Sequence, residues 1–124
     1  MLIEVSNGEI VDKYTILKIK IKHCPQMTEK YSNLLNEYSI LTEAVENLKI
    51  DKELITELLK VNSILWDIED KIRIKEQEQK FDEEFIQLAR SVYVTNDKRF
   101  LLKKQINLLS KSKIFEEKIL PTLK

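Results

Sequence analysis

One glycine, two prolines, one cysteine and one histidine are all this chain has of the residues that build tight turns, disulfides and most metal or nucleophilic sites. Each shortage closes off a class. All-β and Rossmann-type folds need more turn punctuation than Gly8, Pro25 and Pro121 provide. A phosphate-cradling loop needs several glycines, and Gly8 stands alone. Cys24 has no second cysteine with which to form an internal disulfide. A zinc site draws on three or four His or Cys ligands, and the adjacent His23 and Cys24 have no companions. A serine or cysteine triad would have to take His23, in a loop beside Pro25, as its base. No apolar run nears the roughly 18 residues of a membrane span. Residues 1–5 lack the basic and apolar regions of a signal peptide, so a cytoplasmic protein is expected. Neither charge dominates, with 21 basic and 21 acidic side chains, which argues against a general nucleic-acid binder. Residues 97–124 hold eight basic side chains against three acidic ones, read as a solvated helix face.

What is abundant is helical pattern. A hydrophobic content of 43% and a charged content of 34% over 124 residues fit a single helical domain, residues 1–124, with one modest core. From Asp51 to about Gln79, a heptad seam runs through Leu54, Leu58, Val61, Leu65, Ile68 and Ile72. Residues 28–47 carry a similar seam in Tyr31, Leu34, Tyr38, Leu41 and Val45, extended by Leu48. The connection Lys49-Ile50-Asp51 is short, and Asp51 suits an N-cap. Two seams on a short loop predict an antiparallel helical hairpin, with Leu48 layered on Leu54, Val45 on Leu58, Leu41 on Val61 and Tyr38 on Leu65.

Upstream, Ser6 and Glu9 spell a capping box, with Val5 and Ile10 at its staple positions. A helix should start at Asn7, bury Ile10, Tyr14, Leu17 and Ile21, and end before Pro25. Downstream, Asp82 should cap a helix that buries Phe85, Leu88 and Val92. Thr95-Asn96-Asp97 should break it, with Asn96 capping a fifth helix that carries Phe100, Leu101, Leu102, Ile106 and Leu109. Ile114 to Leu120 reads as a last short helix. The expected fold is all-α, a bundle of four to six helices built on the long hairpin. Apolar residues outside the seam, Ile55, Leu59 and Ile64, predict a homo-oligomer, most simply an isologous dimer.

Two polar sets could carry chemistry. Glu9 and Asp12 share a helix face, and Glu69, Asp70 and Glu76 lie near Arg73. Paired carboxylates on two helices suit Mg²⁺, which prefers oxygen ligands. The layout loosely resembles the all-α nucleotide pyrophosphohydrolases, whose ExxE and ExxD helices bind magnesium. Glu9-Ile10-Val11-Asp12 supplies one ExxD, no ExxE follows in the family's order, and Arg73 stands where a further acid is wanted. That resemblance implies a magnesium-dependent nucleotide hydrolase with Glu9, Asp12, Glu69 and Asp70 as metal ligands.

The second set is cationic. Three arginines stand against eighteen lysines, and Arg73, Arg90 and Arg99 fall close together in a stretch shared with Trp66, Phe81 and Tyr93. Arginine offers a planar fork that takes phosphate or carboxylate bidentately and stacks on rings. These residues predict a non-catalytic binding protein for a small anionic ligand, phosphorylated or nucleotide-like. Trp66, Arg73, Arg90, Tyr93 and Arg99 would form the site, with Lys13 and Lys103 at its rim and no cofactor. The competing interpretation is an internal salt-bridge lattice with Glu69, Asp70, Glu76 and Asp97. A pure protein-interaction module is a third.

The segments Ile3 to Leu17 and Leu88 to Arg99, with Trp66-Asp67-Ile68-Glu69-Asp70-Lys71-Ile72-Arg73 and Phe81-Asp82-Glu83-Glu84-Phe85-Ile86, resemble a domain-of-unknown-function family of small bacterial and phage proteins. The resemblance spans most of the chain except residues 24–60. It implies a family and a bacterial or phage source, and it brings no activity with it.

Overall fold

A computed structural model describes residues 1–121, and over these the chain is all-helical. Four helices follow in order: α1 (Asn7–His23), α2 (Glu29–Leu48), α3 (Lys52–Gln77) and α4 (Glu83–Leu109). No helix among the described residues is long and apolar enough to cross a membrane. Every helix starts where a side chain accepts a free backbone N–H: Ser6 from Glu9, Thr28 from Tyr31, Asp51 from Glu53 and Asp82 from Phe85.

The predicted hairpin does not form. α2 and α3 are joined by three residues yet make no close backbone approach along their lengths. α1 is central instead, packing against α2, α3 and α4, while α3 pairs with α4. Tyr38 therefore lies on Tyr14 of α1, rings stacked at 5.2 Å with their hydroxyls 3.2 Å apart, and not on Leu65. Burial of Tyr38, followed by that hydroxyl contact, raises its phenol pKa. The α3 seam is buried as expected from Leu54 through Leu65, but it faces α1 and α4. Val45 is the one buried residue of α2, and it joins Val11, Leu54, Leu58 and Ile106 in the apolar core. α1 is buried on two sides, so Val11, Thr15 and Ile19 are covered along with Leu17, whereas Ile10, Tyr14 and Ile21 are half-buried.

α4 is also longer than predicted, running unbroken through Thr95-Asn96-Asp97. Such residues weaken helices by bonding their own backbone. Here Thr95 is buried, Asn96 Oδ1 accepts from Arg99, and Asp97 accepts from Lys118, so the side chains are engaged elsewhere. Residues 114–120 form no helix and run as irregular chain beside α4.

The single glycine sits where α1 crosses α4. A Cβ on Gly8 would lie 2.6 Å from the Lys103 carbonyl oxygen and 3.0 Å from Asn107 Oδ1. Gly8 N–H donates to that same Oδ1 at 2.6 Å, and Asn7 N–H donates to Ser112 Oγ at 3.0 Å. With Glu9 N–H on Ser6, the first three amides of α1 all find acceptors, two of them beyond the helix itself. This close crossing fixes Glu9 and Asp12 opposite Arg99 and Lys103.

Candidate functional site

Asp12 is the buried charge around which the α1–α4 seam is built, with 1% of its surface exposed. Arg99 grips it with both prongs, Nε to Oδ1 at 2.9 Å and Nη2 to Oδ2 at 2.5 Å. Asn62 of α3 donates to Oδ1 at 2.9 Å and also to Thr15 Oγ1. Burying an ion costs several kcal/mol, and a bidentate fork with satisfied lone pairs is the arrangement that can offset it. The hydrogen bond to Asp12 drives the Arg99 pKa upward against the effect of burial.

Lys103 lies one helical turn beyond Arg99 and is 6% exposed. Its ammonium donates to Glu9 at 2.9 Å, approaches Glu116 at 3.0 Å and lies 3.9 Å from Asp12. Burial pulls its pKa down, but the bonds to Glu9 and Glu116 and the Asp12 charge outweigh this, and the net shift is upward. Arg99, Phe100 and Lys103 form one wall of a cleft of about 490 Å³, with Glu9 across from them. The chain after α4 closes its outer side through Glu116, Glu117 and Lys118. A smaller adjoining groove of about 280 Å³ shares Glu9 and Arg99 and is flanked by Lys13, Lys20 and Glu37.

The structure thus brings together two of the four predicted metal ligands and, counting Lys13, three of the seven predicted ligand-binding residues. Arg99, Lys103, Glu9 and Asp12 converge, and Lys13 stands close by, 3.6 Å from Glu37. The others lie apart. Because α4 is continuous, nine residues turn Arg90 about 180° from Arg99 and set it about 13 Å away along the axis. Arg90 and Tyr93 are exposed on α4, and Arg73, Glu69 and Asp70 are exposed on α3. Trp66 stacks on His23 at 4.9 Å and fastens the end of α1 to α3. The Trp66 Nε1–H is buried without an acceptor among the described residues. The four predicted metal ligands are not gathered: Glu9 and Asp12 meet Lys103 and Arg99, while Glu69 and Asp70 are solvent-facing on α3. Among the described residues no three His, Cys, Asp or Glu side chains cluster to hold a metal ion. The arginine lattice expected with Glu69, Asp70, Glu76 and Asp97 also takes another form, since Arg99 pairs with Asp12.

One sequence family, described as of unknown function (DUF6165), matches residues 1–123. The chain belongs to that family. No curated protein and no solved structure matches it. The family assignment carries no residue roles, so the geometry of this member has to supply them. Four participants escaped the sequence reading: Asn62, Asn107, Ser112 and Glu116. Asn62 does carry a signal, because it flanks the apolar seam of α3, one turn after Leu58 and beside Val61, with an amide that must be satisfied if buried.

Proposed function

We propose that this protein is a non-catalytic helical binding protein for a small anionic ligand, phosphorylated or nucleotide-like, held in the α1–α4 cleft. The observation that supports this is a carboxylate already seated there: Glu116, from outside the helices, 3.0 Å from the Lys103 ammonium. Lys103 is a buried cation that accepts an anion from an irregular segment, and a phosphate oxygen offers the same chemistry more strongly. Arg99 directs its remaining Nη1 toward Asn96 at a long 3.4 Å, which leaves donor capacity on the cleft side. Phe100 supplies an apolar wall suited to a base or sugar face. Lys13 adds charge at the rim of the adjoining groove. Hydrogen bonds to charged groups contribute about 1.5–3 kcal/mol each, so three or four give micromolar affinity after association costs. No general base is needed.

A homo-oligomer belongs to the same proposal. Of the three residues that predicted it, Ile55 and Leu59 are half-buried and only Ile64 is exposed; Leu101 and Leu108 of α4 are exposed as well, and an isologous contact is the commonest cover for such residues. A light-scattering mass equal to the 14.7 kDa monomer at micromolar concentration would reject it.

The functional test is a thermal-shift screen with nucleotides, cyclic dinucleotides, sugar phosphates and pyrophosphate, each with and without Mg²⁺. The expected result is stabilisation by a polyanionic class, lost in Lys103→Met. No shift across the panel sinks the proposal. Metal-dependent turnover abolished by Glu9→Gln would replace it with the hydrolase reading, since Gln still serves in the capping box.

A further inference from the structure

The segment after α4 is tied down in an unusual way. Its apolar side chains are left out: Ile119 is 94% exposed and Leu120 61%, and Ile114 and Phe115 are only partly covered. Its charged side chains are the ones with partners. Glu116 meets Lys103 at 3.0 Å, Lys118 meets Asp97 and lies 6.0 Å from the Phe100 ring centroid, and Lys113 reaches Glu4 at 3.8 Å. No regular secondary structure holds residues 114–121. A segment packed for stability would bury its isoleucines, and this one instead places ions over a cleft.

Those ions also set the charge of the cleft. With the segment in place, Arg99, Lys103 and Lys118 face Glu9, Glu116 and Glu117, and the lining is neutral. Without it, Arg99 stays paired with Asp12 and Lys103 keeps Glu9, so Glu116 is the second carboxylate on the Lys103 ammonium. The segment therefore covers the cleft and fills the position on Lys103 that an anion would take.

We propose that residues 113–121 form a displaceable strap whose Glu116 carboxylate occupies the anion position on Lys103, so that an anionic ligand and the strap compete for the α1–α4 cleft. The inference rests on the ligand-binding reading above and adds a regulatory step to it. Anything that removes the Glu116 charge or the Lys118–Asp97 tie opens the site, and a bound anion releases the strap. Salt screens the partly exposed Lys118–Asp97 tie more than the pair on the buried Lys103, so rising ionic strength loosens that tie first.

The experiment is calorimetric titration of inorganic pyrophosphate into wild type, Glu116→Ala and Lys118→Ala, paired with hydrogen exchange over residues 113–121. Glu116→Ala should bind at least about tenfold more tightly, since about 1.4 kcal/mol of lost competition converts to that factor. Lys118→Ala should show a smaller gain in the same direction. Exchange at residues 113–121 should quicken in both variants, and in wild type on adding pyrophosphate, whereas an ordinary ligand slows it. Equal affinity in wild type and Glu116→Ala overturns the strap and leaves the ligand reading standing. No binding in any of the three overturns both. Unchanged exchange over 113–121 in Glu116→Ala shows that Glu116 does not hold the segment, and overturns the strap on its own.

Discussion

Replacing Arg99 with methionine should destabilise the fold by about 3 kcal/mol, the low end of what breaking a buried ion pair costs. What Asp12 keeps and loses sets that magnitude. Arg99 supplies two of the three hydrogen bonds to a carboxylate that is almost wholly buried. Asn62 remains, and Lys103, now 3.9 Å away, has room to close on the vacated oxygen. The side chain of Arg99 is itself 30% exposed, so solvent partly screens the pair and argues against the upper end. Methionine fills much of the lost volume, which isolates the charge from the packing. Urea unfolding followed by circular dichroism reads the effect directly. With a slope of roughly 1.5 kcal/mol/M, the midpoint should fall by about 2 M. The double variant Asp12→Leu with Arg99→Met should recover part of the loss, because no uncompensated ion remains. A cost below about 0.5 kcal/mol for Arg99→Met, or strict additivity in the double variant, would refute the idea that this pair governs the α1–α4 seam.

Other substitutions probe the same architecture. Gly8→Ala should cost about 1–3 kcal/mol by thermal denaturation, since its Cβ meets backbone at 2.6 Å and α1 must shift away from α4; a neutral outcome would mean the crossing is loose. Leu65→Ala should cost about 2–5 kcal/mol, as for any buried leucine, and under 0.5 kcal/mol would show the seam to be solvent-accessible. Trp66→Phe should be close to neutral, because stacking on His23 survives and the unsatisfied indole N–H is removed, while Trp66→Ala should lose the contact and destabilise clearly. Lys103 links stability to alkaline pH. Its folded pKa lies above the ordinary 10.5, so its contribution is full below pH 10.5 and fades as pH rises through the folded value. The stability difference between wild type and Lys103→Met should therefore hold below pH 10.5 and shrink as pH rises above it, and a difference that stays flat through strongly alkaline pH would contradict the buried ammonium.

Local signals in this sequence translate well into structure. Ser6, Asp51 and Asp82 cap the helices they were expected to cap, and the α3 seam is buried from Leu54 to Leu65. Heptad spacing tells which face of a helix is covered, but not by what. The α2 and α3 seams match each other in period, yet they do not pack on each other: α2 lies on α1, and α3 on α1 and α4. A clue was present in α1, where Ile10, Val11, Tyr14, Ile16, Leu17, Ile19 and Ile21 leave little of the circumference polar; a helix apolar on several sides belongs in the middle. The false break at Thr95-Asn96-Asp97 had a larger consequence. It freed Arg90 and Arg99 to share a site on paper, whereas an unbroken α4 turns them to opposite sides. Glu116 could not have been placed at all, because its partner is thirteen residues away in sequence and reached by irregular chain.

The cleft and the exposed arginines make opposite predictions for one measurement. Calorimetric titration of the strongest polyanionic hit from the thermal-shift screen should be run on wild type, on Lys103→Met and on the double variant Arg73→Ala with Arg90→Ala, each confirmed folded by circular dichroism. A ligand held between α1 and α4 binds wild type and the arginine double variant alike and is lost from Lys103→Met. Binding that survives Lys103→Met and disappears with Arg73 and Arg90 would contradict the cleft and move the site to the exposed faces of α3 and α4.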